Sequence, residues 1–323
     1  MTRKHAFSDS TIPIVVLLGA ARSGTTLLAE HLLADHPDVA YWGEPNHIWR
    51  LGTLYRKTDV RSGADATPER IDRIRRHFRE YLDQSDGQIL LEKSPANCLR
   101  IPFIRRVFPE AVFIHLIRDG RDVAISARKE WRGGKKVVDS DDLNSWQRVA
   151  NWGSTLLHEI RGRRMLSTLH PTQLPHYVNR AYRLLAMRMT GKPAIWGPRI
   201  PNLDRIYRSH TLLETCAIQW RECVLAVIDQ WHEIPPESRH TVRYERLLAH
   251  PEREVGQLLD FMNLQRDPGV LDNLEVISKN NRRKWESALT SSEFARLDVV
   301  VGTTLERLGY VRSLSEAPNR ANT

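Results

Sequence analysis

A three-layer α/β/α fold, with a parallel sheet between two layers of helices, is what this sequence predicts, and three observations carry it. Two apolar runs, Ile12–Leu18 and Ala111–Ile117, have the length and composition of strands covered on both faces. Each leads through a polar turn into a helical pattern, the unit from which parallel β-α-β layers are built. The 323 residues suffice for a sizeable core, in one large α/β domain or two small ones. A single domain over 11–312 is expected, with a helical, basic insertion at 132–238.

The elements follow in order. After a polar tail, Ile12–Leu18 is a buried strand, Gly19–Gly24 a loop, and Thr25–Ala34 a helix ending before His36-Pro37. Thr67-Pro68 is an N-cap and first-turn pair that opens a helix carrying Ile71, Ile74, Phe78, Tyr81 and Leu82 on one face. Gln88–Leu91 is a short strand. Ala111–Ile117 is a longer one, followed by Arg118-Asp119-Gly120-Arg121 and a helix starting near Asp122. Thr241–Tyr244 is a further strand, and Leu247–Met262 a periodic helix. Thr290 with Glu293 is a capping box for a last helix that stops at Gly309. Between Trp131 and Trp231 two helical patterns, Leu143–Ile160 and Leu212–Trp231, flank a stretch rich in proline and glycine, read as the insertion.

The totals exclude several classes. Three scattered cysteines (Cys98, Cys216 and Cys223) make neither a disulfide framework nor a zinc ribbon and fit a reducing compartment. Cys216 and Cys223 fall on one apolar helical face and read as core thiols. The run Ile12–Ala21 is too short to span a bilayer and has no cleavage site after it, so a soluble, cytoplasmic protein is expected. Ten Lys or Arg against one acid, Asp204, lie between Arg161 and Arg208, which equals the whole formal excess of +9. Such local basicity points to an acidic partner at one place and not to nucleic acid. With Tyr177, Tyr182, Trp196 and Tyr207 interleaved, this stretch reads as an acceptor side for a sugar or an anionic molecule, or equally as a dimer contact or lid. No CxxC exists, and no metal site is expected.

The loop carries the chemistry. Gly19-Ala20-Ala21-Arg22-Ser23-Gly24-Thr25-Thr26 keeps the glycine spacing of a phosphate-binding loop, but Thr25 stands where the lysine belongs and Arg22 supplies the charge. That lysine reaches the terminal phosphates of a triphosphate. Without it the loop still holds a phosphate on backbone N–H groups at a helix N-terminus, so a nucleotide other than a triphosphate is expected.

Arg22-Ser23-Gly24-Thr25-Thr26-Leu27 and the run Ile117 to Ser126 resemble the two cofactor signatures of the sulfotransferase family, which uses 3′-phosphoadenosine 5′-phosphosulfate (PAPS). Leu91-Glu92-Lys93-Ser94-Pro95 and Val242 to Leu248 extend the likeness through the core in order. His36-Pro37-Asp38-Val39 followed by Gly43-Glu44 looks most like the tyrosylprotein and carbohydrate branches. The resemblance implies a P-loop NTPase-like sulfotransferase fold and transfer of a sulfuryl group from PAPS to a hydroxyl or amine of a small-molecule, glycan or lipid-linked acceptor. It implies two anion sites: the loop Arg22, Ser23, Gly24, Thr25, Thr26 and Leu27 for the phosphosulfate, and Arg118 with Ser126 for the 3′-phosphate. Tyr244 matches a position near the nucleotide. Lys279 and Arg282, with Arg283 ahead of Trp285, resemble a basic stretch that closes over it. Glu44 matches the catalytic glutamate of the tyrosylprotein branch, displaced by one residue, with His47 as fallback base.

Sulfuryl transfer is an in-line displacement through a loose transition state, dominated by positioning and charge. Cations beside the departing phosphate count most there, which gives Arg22 and Lys93 their expected roles, with no metal required. A partly buried carboxylate can take the acceptor's proton. Two other readings stand against this one. A small-molecule kinase lacks its loop lysine and an apolar-strand aspartate for Mg²⁺. A non-catalytic nucleotide-binding module leaves Glu44 and Lys93-Ser94-Pro95 without a role.

Overall fold

The computed structural model describes residues 11–53, 56–132, 196–277 and 282–310. Five strands form one sheet: β1 (Ile14–Leu18), β2 (Val39–Gly43), β3 (Ile89–Lys93), β4 (Val112–Ile117) and β5 (Arg239–Arg243). They lie in the order β2-β3-β1-β4-β5, and every neighbouring pair is parallel. The register sets Gly43 beside Lys93, Leu17 beside Lys93, Leu18 beside His115 and Ile117 beside Arg243. All five carboxyl ends therefore reach one edge, where α/β sheets place their ligands.

Twelve helices of α or π type are described. In chain order α1 is Leu27–Leu33, α2 Asn46–Trp49, α3 Pro68–Asp83, α4 Ile101–Val107, α5 Gly120–Trp131 and α6 Leu203–Ser209. Then come α7 Leu212–Trp231, α8 Tyr244–Ala249, α9 Pro251–Phe261, α10 Pro268–Asp272, α11 Trp285–Ala288 and α12 Ser291–Arg307. On one face of the sheet, Val15, Leu17, Ile114, Leu116 and Val242 pack against Leu28, Leu32 and Leu33 of α1, Leu247 of α8 and Leu258 of α9. The opposite face is aromatic. Trp42 of β2 stacks on Tyr81 at 4.2 Å and meets Phe78 at 5.0 Å, while Trp49 meets Phe78 at 4.9 Å and Phe108 at 5.9 Å. Each such buried side chain stabilises by roughly 1.5–3 kcal/mol relative to exposure. Two covered faces make the expected three layers.

The expected caps are present. Thr67 Oγ1 accepts from Arg70 N with Pro68 in the first turn, and Thr290 with Glu293 forms its box. A second box, Thr211 with Glu214, opens α7. Gly309 follows α12 at φ +74°, in the left-handed conformation that ends helices on glycine. All three cysteines are buried and free.

Several expectations change. The helix after the loop is a wide π-type turn over Leu27–Leu33, a form that recurs at functional sites. Leu247–Met262 is two helices, because Pro251 has no N–H to continue α8 and His250 before it leaves helical geometry at φ −137°, ψ 61°. Tyr244 starts α8 instead of closing a strand. β2 has no counterpart among the expected strands. The expected helix Leu143–Ile160 and most of the basic stretch 161–208 lie outside the described residues. The chain divides into two compact units, Met1–Arg128 with Gly197–Thr323 and Lys129–Trp196. The site below lies in the first.

Candidate active site at the carboxyl ends of the strands

The loop after β1 turns on two left-handed residues, Arg22 at φ +73° and Gly24 at φ +100°. Turns of this kind gather backbone N–H groups into an anion-binding concavity. Gly24 is required twice over: its φ suits glycine, and a Cβ there would stand 2.5 Å from the Tyr244 ring. Gly24 O accepts from Leu28 N at 3.0 Å, so the loop passes directly into the helix. Ser23 is fully buried, and its Oγ makes no hydrogen bond.

The two expected anion sites meet. Arg22 Nε donates to Ser126 Oγ at 3.1 Å, joining the first signature to the second. Arg118, at the end of β4, lies with its guanidinium 4.2 Å from the Tyr244 ring centroid and donates from Nη1 to Arg22 O at 3.3 Å. Its Nη2 is 3.7 Å from Asp122 Oδ2. That contact is the ion pair a surface arginine would make, but both side chains are buried. Trp220 Nε1 donates to Arg118 O at 3.1 Å and packs against Gly120, which fixes the turn from below. Burial pushes the Tyr244 phenol up, and Arg118 opposes it. Tyr244 is thus both a core tyrosine and the platform under Arg118.

The turn after Arg118 is braced on its far side. The Arg121 guanidinium donates to both carboxylate oxygens of Asp119 through Nε and Nη2, and Asp119 N donates to Glu245 Oε1 at 3.0 Å. Tyr310 donates to the other oxygen of Glu245 at 2.8 Å. Arg121 also lies 3.8 Å over the Trp285 ring, and Trp285 N donates to Asp122 Oδ1 at 3.0 Å. Burial raises the Asp122 carboxyl, with Arg118 pulling it back. Trp285 thereby anchors the segment that follows Arg282, which is exposed, to the helix after Arg118. Lys279 lies outside the described residues.

The second half of the site stands at the ends of β2 and β3. Lys93 Nζ is 2.9 Å from Glu44 Oε1, with the lysine side chain 5% exposed and the glutamate 37%. Glu44 is left-handed at φ +56°, and its N–H donates to Lys93 O at 2.8 Å. A buried ammonium requires such a partner. His47 is half-buried on α2, the helix that follows Glu44. His31 is exposed on α1. Tyr41 places its hydroxyl beside Gly43, where a Cβ would lie 2.8 Å from it. Burial raises its phenol, and the charges of Glu30, Glu44 and Glu92 raise it further. Among the described residues no group of three or more His, Cys, Asp or Glu side chains stands together to hold a metal ion, and no helix is long and apolar enough to cross a membrane.

Sequence reasoning passes over Glu92, which is fully buried at the end of β3, and Asn97 and Arg100, which lie buried behind it. The signal is present as a carboxylate inside an apolar strand. It also passes over Glu245 and Tyr310, whose partners are set by tertiary contact alone.

A family model described as the sulfotransferase family matches residues 13–174 and 202–268. The nodulation protein NoeE of Sinorhizobium fredii is 33% identical over 356 residues, covering 95% of this chain and 68% of that protein. Protein-tyrosine sulfotransferase 1 of Danio rerio is 31% identical over 282 residues, covering 84% of this chain and 59% of its own length. Among solved structures, the sulfotransferase domain from the curacin biosynthetic pathway superposes with a TM-score of 0.50 over 94% of this chain and 99% of that one. At 15% identity that likeness speaks for the fold.

Proposed function

The chain belongs to the sulfotransferase family and is a sulfuryl-transfer enzyme, and from that premise we propose which of its residues bind the donor and which transfer the group. The loop fits a phosphate-bearing donor. Ser23 offers a buried hydroxyl without an internal acceptor, and Gly24 keeps the backbone bare where a phosphate would approach. When bound, PAPS supplies the sulfuryl group and leaves as adenosine 3′,5′-bisphosphate. Ser23, Gly24, Thr25, Thr26 and Leu27 hold its 5′ side at the start of α1. Arg118 and Ser126 hold the 3′-phosphate, with Tyr244 beneath and Arg282 at the rim.

Arg22 and Lys93 carry the positive charge that the departing phosphate needs, and a preorganised cation is worth most where charge develops. Glu44 takes the proton of the acceptor hydroxyl at Oε1 or Oε2. Its Oε1 accepts from Lys93 Nζ, which aims the carboxylate. The observation that carries this reading is the meeting of Arg22, Arg118, Ser126 and Tyr244 at one end of the sheet, with the Lys93–Glu44 pair on the neighbouring strands. The donor is accommodated over β1 and β4, and the acceptor approaches over β2 and β3.

The name of the protein-tyrosine sulfotransferase relatives makes a phenolic hydroxyl the first acceptor to try. Sugar hydroxyls and amines follow. The basic segment 161–208 is proposed as the acceptor side, inserted within a single catalytic domain spanning 11–312. Three buried free thiols suit a reducing, cytoplasmic setting. Calorimetric titration with adenosine 3′,5′-bisphosphate, run against 5′-AMP and MgATP, tests the donor. Binding that needs the 3′-phosphate and no metal is expected. Preference for MgATP would overturn the reading in favour of a kinase.

A further inference from the structure

Glu92 is fully buried, yet three donors converge on it. Trp49 Nε1 reaches Oε1 at 3.0 Å, Ser94 Oγ reaches the same atom at 2.6 Å, and Asn97 Nδ2 donates to Oε2. The amide of Asn97 is used on both sides, since its Oδ1 accepts from Arg100 Nε at 2.7 Å. Arg100, 1% exposed, reaches on through Nη2 to Asn46 Oδ1 at 2.8 Å. Asn46 N donates to Glu44 O at 2.7 Å, and Glu44 N donates to Lys93 O at 2.8 Å. The peptide bond from Glu92 to Lys93 closes the circuit. Every other link in it is a hydrogen bond, and two buried charges of opposite sign balance through a single amide.

We propose that Glu92, acting through Asn97, Arg100 and Asn46, is a positioning residue that holds Glu44 in its left-handed conformation against Lys93. The inference rests on the reading of Glu44 and Lys93 as the transferring pair. A left-handed non-glycine residue is strained and persists only where its surroundings over-determine it. Here both backbone groups of Glu44 are engaged, one by the strand bearing Lys93 and one by the residue that Arg100 fixes. Trp49 adds a second attachment, because its indole ties α2, the helix after Glu44, to the same carboxylate. Glu92 therefore clamps both segments: the Ser94–Asn97 turn behind Lys93, and the Asn46–Trp49 helix behind Glu44.

The circuit predicts a specific failure and a specific repair. In Glu92→Gln the new NH₂ can face Oδ1 of Asn97 only if that amide turns over, which sets its own NH₂ against Arg100. Turned the other way, the new amide keeps Asn97 but sets its NH₂ against the Trp49 indole N–H, so one donor–donor clash persists in either orientation. The double variant Glu92→Gln/Asn97→Asp moves the carboxylate one step along, where it accepts from both the new side-chain amide and Arg100, and restores every partner.

The test compares wild type, the single and the double variant. Melting temperature, calorimetric affinity for adenosine 3′,5′-bisphosphate and crystal structures with that nucleotide bound are measured, with PAPS turnover on a tyrosyl peptide. For Glu92→Gln we expect nucleotide affinity within about twofold of wild type, residue 44 out of the left-handed region, the Lys93–Glu44 ion pair broken, and kcat down about 10²-fold. The double variant regains the φ, the ion pair and most of kcat. An unchanged φ and an intact ion pair in the single variant overturn the proposal. So does a parallel fall of melting temperature, affinity and kcat that the double variant leaves unrepaired. If Glu92→Gln fails to fold, the double variant decides alone, by whether residue 44 stays left-handed. Glu44→Gln is run alongside: if it turns over like wild type, the reading of Glu44 fails, while the geometric result at residue 44 stands independently.

Discussion

The Arg22 guanidinium donates to Ser126 Oγ at 3.1 Å, across 104 residues of sequence. The loop after β1 and the helix after β4 are thus tied together, and Arg118 touches the same loop through Arg22 O. The side chain proposed to answer the departing phosphate is therefore held by a residue proposed for the other phosphate site.

Arg118→Ala removes the guanidinium from Tyr244 and from the 3′-phosphate site. The expected loss for adenosine 3′,5′-bisphosphate is that of a charged hydrogen-bonding group, about 1.5–3 kcal/mol. Binding of 5′-AMP changes little. Equal losses for the two nucleotides in calorimetry would remove Arg118 from that role.

Glu44→Gln keeps the shape of the site and its bond from Lys93 but loses the base. Turnover is expected to fall by roughly 10²–10⁴-fold, with the affinity for adenosine 3′,5′-bisphosphate nearly intact. Unchanged turnover would pass the proton to His47 or to solvent.

Gly24→Ala forces a Cβ into the Tyr244 ring, 2.5 Å away, from a backbone at φ +100°. The strain is of order 1–3 kcal/mol, and the ring that gives way is the one under Arg118. Nucleotide affinity should drop at least tenfold while the far-ultraviolet circular dichroism stays as in wild type. Wild-type affinity in this variant would show that the loop tolerates the side chain.

His115 sits inside β4, 2% exposed, against Trp231, and burial pushes its pKa down from 6.5 to about 3. It stays neutral in the folded chain, whereas the unfolded chain takes up a proton below about pH 6.5. Its neutral burial therefore favours the fold fully above that pH, and the advantage is lost as pH falls toward 3, by about 1.4 kcal/mol per unit. Urea midpoints measured between pH 7 and 5 should decline less steeply in His115→Gln than in wild type. Parallel declines would assign the acid sensitivity to other groups.

Much of the fold is legible in the sequence because its signals are local. Strands buried on both faces announce themselves as apolar runs, which place β1 and β4 to within two residues at the start. Thr67-Pro68 and Thr290 with Glu293 carry their caps in adjacent residues. The β2 strand escapes because Val-Ala-Tyr-Trp-Gly has no long apolar run, and its Tyr41 and Trp42 serve opposite faces. His115 escapes because its neighbours are apolar and its neutrality is a product of burial. The site residues of the strand-end loops can be picked from motif, and the structure brings Arg22, Arg118, Ser126 and Tyr244 together. The circuit behind Glu44 depends on which side chains meet across the sheet, and neither spacing nor composition records that.

β2 is an outer strand of the described sheet, with β3 on one side only. Glu44 is thus mounted on the margin of the fold, while the donor loop hangs from β1 at the centre, flanked by β3 and β4. Exchange of sequence at a margin disturbs few neighbours, and exchange at the centre disturbs many. Substitutions on that flank around Glu44 are therefore expected to alter acceptor use while leaving nucleotide affinity near that of wild type.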